Sequence, residues 1–153
     1  VSPKQAFRAL SIAEAGTWTL LIAGMLAKYG AGADWAVSAA GPVHGFVFLA
    51  YVVAAVGVAV NQRWRIGATA LAVGAAVIPF ATIPVEIAFV RRGMLDGGWR
   101  RTRTADPRDA RFPSRVLRLV LGRPVLAGAV LIAAVALVFT GLLIAGPPVP
   151  SAG

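Results

Sequence analysis

The sequence contains no cysteine, which excludes disulfides, thiolate metal sites and cysteine nucleophiles. It holds a single histidine and only six acidic residues. One imidazole and a few separated carboxylates make a poor metal sphere. There is no phosphate-cradling glycine loop, no zinc-protease helix motif and no nucleophile elbow. Ser11, Ser38 and Ser114 have no base near them in the sequence. The chain is therefore expected not to be an enzyme and to carry no metal or cofactor. Charge itself is scarce, at 14% of residues, where a soluble domain carries about 25%.

What fills the space is apolar. Hydrophobic residues make up 58% of the 153, a length that suits one domain. They fall into four runs, and the charges collect between them. A charge at the bilayer centre costs roughly 3 kcal/mol even on the lenient insertion scale, so this segregation is a membrane signature. The first run, Phe7 to Ala27, holds one acid, Glu14. The second starts at Gly41-Pro42 and ends at Val60, with Pro42 suited to the first turn of a helix. The third, Ile66 to Val90, is interrupted by Pro79 and Pro84 and is long enough to span with a kink. A hairpin within it would leave two halves too short to cross twice. The fourth, Pro124 to Ala145, has no charge at all. The expected fold is an all-α integral membrane bundle of four transmembrane helices.

Between the third and fourth runs the chain changes character. Residues 94–113 read as an Arg-rich exposed loop, and residues 114–122 as a short amphipathic segment at headgroup level, where Arg115 and Arg118 alternate with Val and Leu. Residues 123–146 form the C-terminal span and 147–153 a short tail, with Gly146-Pro147-Pro148 as the stop. No cleavable signal peptide is expected at the start. The net charge of +9 is assigned to anionic lipid, with Arg91, Arg92, Arg115 and Arg118 as headgroup contacts, and not to nucleic acid. With four spans, loops 28–40 and 91–123 share a side and carry eleven basic residues, against Lys4, Arg8, Arg63 and Arg65 on the other. The positive-inside rule then puts the Arg-rich loop in the cytoplasm and both termini outside.

Ionisable groups inside spans are functional candidates by default. Glu14, His44 and Glu86 qualify. On antiparallel second and third spans, His44 and Glu86 fall at similar depth, with Lys28 near the same face and Tyr51 near the midplane. Such a pair is either a polar clamp that fixes helix register or a proton-relay or ion site. Small residues on the spans (Gly67 and Gly74, Ala23 and Ala27, Ala50 and Ala54) allow close helix packing.

An ordered set of residues carries a resemblance. Phe7-Arg8, Glu14 and Gly16 come first, then Leu26-Ala27-Lys28-Tyr29. Gly41-Pro42-Val43-His44-Gly45 follows, with Phe48, Tyr51 and Arg63-Trp64, and last Ile78-Pro79-Phe80-Ala81-Thr82 with Glu86. From about residue 5 to 93 the chain resembles a family of small bacterial integral membrane proteins known as domain of unknown function 3817. The resemblance implies a three-span membrane domain at residues 5–93 and points to Glu14, His44 and Glu86. It implies no reaction. The expected role is a non-enzymatic accessory or assembly subunit in the bacterial cytoplasmic membrane, with a membrane-protein partner or a second copy of itself. The alternative is a small proton- or ion-coupled transporter using the intramembrane Glu and His residues.

Overall fold

Ser2 starts the first helix. Its hydroxyl accepts the Gln5 amide N–H (3.1 Å), and the Gln5 side-chain oxygen accepts the Ser2 N–H (2.8 Å), a reciprocal cap with Pro3 at the first helical position. In the computed structural model, which describes residues 1–145, this helix runs as α1, Pro3–Ala31. Its 29 residues make it about 43 Å long, more than a hydrocarbon core about 30 Å thick. Gly32 ends it in the left-handed region (φ 67°), where a missing Cβ removes the steric cost. Asp34 at once opens α2, Asp34–Gln62, and forms an ion pair with Lys28 (3.4 Å). The loop expected over residues 30–40 is thus two residues long. Pro42 lies inside α2, not in its first turn. It is exposed, and the long packing against α1 carries the helix through one missing hydrogen bond.

The α1–α2 pair forms the largest contact in the molecule. The backbones approach closely at Gly24, where an added Cβ would lie 3.1 Å from the Ala36 carbonyl oxygen. Gly24→Val is expected to destabilise the protein in detergent by about 1–3 kcal/mol through overpacking. Gly16→Val, at a site with no atom within 4 Å, should change little. Equal effects in an unfolding titration would show that the close approach is not real.

The third run is not one kinked helix. It forms α3, Ile66–Ala75, and α4, Thr82–Arg91, each about 15 Å long. Around the turn between them, Pro79 withholds a backbone donor, and Phe80 takes a left-handed conformation (φ 65°) that reverses the chain. The two helices fold back as a hairpin. Its tip reaches the middle of α1, where the Trp18 indole N–H donates to the Ala76 carbonyl (3.3 Å) and Thr82 meets Ser11. Its open end returns to where α2 finished. There the Trp64 indole N–H donates to the Met94 carbonyl (2.9 Å), and the Trp64 and Phe89 rings pack edge to face at 4.7 Å. Phe7 stacks on Phe89 and completes the core with Tyr51, Val58 and Leu95.

Residues 92–111 close over that same end. Leu95 is buried, and Trp99 donates to the Val1 carbonyl (2.9 Å). The Asn61 amide both donates to the Gly98 carbonyl and accepts the Arg100 N–H. The segment expected to be a free loop is therefore anchored, while Arg101, Arg103, Arg108 and Arg111 stay exposed. A 3-10 turn, Pro107–Ala110, leads into α5, Phe112–Gly122, which has no buried residue. The chain then bends by 107° at Arg123 into α6, Pro124–Ala145. Among the described residues α6 touches only α5 and α2. The expected stop at 146–148 and the tail at 147–153 lie outside the described residues.

Candidate functional site

One face of α1 is buried along its length: Phe7, Ser11, Glu14, Thr17 and Gly24. The spacing of three, four and seven keeps them on a single stripe facing α2 and the hairpin. The middle of that stripe is polar, which reverses the usual order of a helix in water. Glu14 is fully buried. Its Oε2 accepts a hydrogen bond from the Thr82 hydroxyl (2.9 Å), and its Oε1 has no partner. Thr82 also lies 3.2 Å from the Ser11 carbonyl, so one hydroxyl proton serves two acceptors in turn. Tyr51, likewise fully buried, donates to the Ala72 carbonyl (2.9 Å). The cluster thus sits between α1, α2 and the tip of the hairpin.

One turn further along α1, the Thr17 hydroxyl donates to the Glu14 carbonyl (2.9 Å) and lies 3.0 Å from His44 Nδ1. The Thr17 hydroxyl thus links the α1 backbone to the His44 ring. Trp18 packs on the ring at 4.5 Å between centroids.

The structure does not bring His44 and Glu86 together. Glu86 lies near Arg8, with 3.9 Å between Nε and Oε1, a distance for charge attraction and not for a hydrogen bond. His44 meets Thr17, nine residues along α1, or about 14 Å away. The equal-depth argument assumed that the third run crosses once. Because it doubles back, Glu86 sits near the end where the hairpin opens. Lys28 belongs to the opposite end with Asp34, away from this cluster. Arg91, Arg92 and Arg115 are exposed, and Arg118 donates to the Asp109 carbonyl (2.7 Å). Among the described residues no three His, Cys, Asp or Glu side chains converge as a metal site.

Sequence reasoning missed Ser11, Thr17 and Thr82. For α1 the signal was present, since these hydroxyls repeat on the face that carries Glu14. It also missed an ion network at the closed end. Arg63 caps α2 in the left-handed region (φ 56°) and grips Asp106 with one guanidinium nitrogen and Asp109 with the other. Asp109 is buried. Hydrogen bonds from the Thr104 hydroxyl and amide, then from Arg63, hold its carboxyl far below the usual carboxylate range. The Arg108 amide, followed by the charges of Arg108 and Arg63, lowers Asp106. Both groups are depressed, so their contribution is complete above the unfolded value of about 3.9 and disappears as pH falls through the lower folded values. Docking of residues 96–110, followed by amide hydrogen exchange, is expected to be constant from pH 8 to pH 5 and to weaken only below about pH 4. Release near pH 6 would show that these carboxylates do not hold the segment.

The family described as "Domain of unknown function (DUF3817)" matches residues 4–91, which is α1 through α4 and so the whole polar stripe. Over 105 residues, 67% of the chain, the sequence is 42% identical to a Streptomyces coelicolor protein named "Putative membrane protein SCO5905". The chain spans only 12% of that relative's length. No solved structure matches. Helices α1 and α2 are each long and apolar enough to cross a membrane. With its family matched over more than half its length, the chain is a membrane protein that belongs to the family of domains of unknown function DUF3817.

Proposed function

We propose that the chain is a multi-pass module of the bacterial cytoplasmic membrane in which α1, α2 and α6 cross. The α3–α4 hairpin enters from one side and returns to it. Non-helical backbone at membrane depth is tolerated where protein buries it, and the hairpin tip lies against α1. The charge pattern supports this topology better than four spans. Lys4, Arg8, Arg63, Arg65 and the ten arginines from Arg91 to Arg123 all fall at the closed end, and Lys28 alone at the other. A bias of fourteen to one favours the closed end, with the N-terminus, in the cytoplasm.

The function this geometry supports best is that of a non-enzymatic accessory or assembly subunit of a membrane complex. The observation that carries it is α6, an uncharged helix of 22 residues that bends by 107° from α5 and meets only α5 and α2 among the described residues, with Val125, Val130, Ile132 and Leu137 exposed. In lipid a helix gains stability from close packing, so one with so much apolar surface uncovered is available to another helix. The S. coelicolor relative supports the same reading, since there the matching segment is a small part of a longer chain. Purification in mild detergent tests it. A stoichiometric membrane-protein partner, or a second copy joined through α6, is the expected result. A monodisperse single chain would overturn the reading.

Glu14 favours a second reading, a proton- or ion-coupled carrier. It is a buried carboxylate with one unpartnered oxygen, placed beside a half-depth hairpin. In liposomes this predicts pH-dependent flux that Glu14→Gln abolishes. Flux unchanged in that variant would dismiss the carrier.

A further inference from the structure

A cavity of about 630 Å³ opens beside the α2–α3 turn, between the outer face of α2 and the start of α5. Its lining mixes two chemistries: Arg63, Arg65, Arg108 and Arg111 supply charge, and Val56, Val60 and Ile66 supply apolar surface. Arg63 is committed to Asp106 and Asp109, and Arg108 is shared with Asp106. Arg65 and Arg111 have no acidic partner among the described residues, and both side chains are exposed. Two unmatched guanidinium groups therefore line a space that also presents apolar side chains from the end of α2 and the start of α3. Of these, Val56 is 44% exposed and Ile66 89% exposed.

We infer that this cavity binds one anionic phospholipid, its phosphate between Arg65 and Arg111 and an acyl chain along Val56, Val60 and Ile66. Guanidinium groups suit phosphate because their planar forks offer paired donors. The position at the end of α2, beside the amphipathic α5, is the headgroup level of the topology proposed above, on which this assignment rests. A free phosphate or other soluble anion would satisfy the arginines and leave the apolar side chains uncovered. The volume is within the range of small-molecule sites. The site is distinct from the general attraction of Arg115 and Arg118 for the membrane, because it requires a shaped cavity as well as charge.

The test uses the full chain, delipidated in a non-ionic detergent, with thermal unfolding read during titration. Phosphatidylglycerol is expected to raise the midpoint saturably, while phosphatidylcholine and inorganic phosphate leave it unchanged. The double substitution Arg65→Gln, Arg111→Gln should weaken the phosphatidylglycerol response about 25-fold, at roughly fivefold for each basic residue near an anionic headgroup. Arg101→Gln, Arg103→Gln removes the same charge from the exposed loop and should leave the response intact. Equal weakening in both double variants would reduce the site to net charge and overturn it. So would an equal response to phosphatidylcholine, or a response to phosphate alone, which would make the ligand a soluble anion. Failure of the topology would appear separately, as cysteines placed near Arg65 and Arg111 that both label in intact cells while the detergent-phase response persists.

Discussion

Single cysteines at Ser2, Arg65, Gly93 and Gly97 are expected to react with a membrane-impermeant reagent only after cells are broken, and one at Gly32 to react in intact cells. The outcome is all or none at each position, and the chain has no cysteine of its own to add background. The pair that decides is Arg65 and Gly93. They flank the third run, so a single crossing would put them on opposite sides and the hairpin puts them on one. The hairpin rests on long-range contacts that a kinked span could not make. Trp64 before α3 donates to Met94 after α4, and Asn61 at the end of α2 bonds Gly98 and Arg100. If Arg65 and Gly93 label from opposite sides, α3 and α4 are one span and the fourteen-to-one charge bias loses its meaning. A cysteine at Gly32 that labels only after lysis would invert the orientation without touching the hairpin.

The same region marks the limit of what could be read from sequence. Long apolar runs announce helices because burial in lipid leaves few alternatives, so α1, α2 and α6 were legible, the last as the apolar run Pro124–Ala145 within the span expected over residues 123–146. Pro79 and Pro84 announced a break in the third run and not its angle. Pro84 turned out to be harmless, as the third residue of α4, where the helix needs no donor from it. Whether Pro79 kinks or reverses the chain depends on partners far away in sequence, namely Trp18 on the Ala76 carbonyl and Phe7 on Phe89. The depth assigned to Glu86 inherited that ambiguity, and the proposed pairing with His44 fell with it. Glu14 was legible as a lone acid in an apolar run. Its partner Thr82 was not, because a threonine in a helix is cheap and common and carries no periodic signal on a ten-residue helix. The docking of residues 96–110 escaped for a similar reason. Polar, turn-rich sequence looks the same whether it is solvated or held by Asn61 and Arg63.

The Glu14–Thr82 contact is expected to show the strongest pairwise coupling in the molecule. Thr82→Val keeps the shape and removes the hydroxyl, so Glu14 Oε2 loses its donor while Oε1 already has none. A buried carboxyl left without a partner costs about 1–3 kcal/mol. Glu14→Leu is the milder break from the other side, because the Thr82 hydroxyl can turn to the Ser11 carbonyl at 3.2 Å. The double variant leaves neither group needing the other. It should be less destabilised than the sum of the singles by about 1–2 kcal/mol in a detergent unfolding cycle. His44→Ala with Glu86→Ala is the natural control. These side chains belong to levels about 14 Å apart along α1, and distant sites without shared partners add within about 0.5 kcal/mol. Coupling between His44 and Glu86 with none between Glu14 and Thr82 would restore the third run as a crossing helix and remove the polar cluster. Glu14→Gln then separates structure from transport. The amide oxygen still accepts from Thr82, so stability should stay close to that of the native chain, and a loss of flux in that variant alone would assign the titrating proton to Glu14.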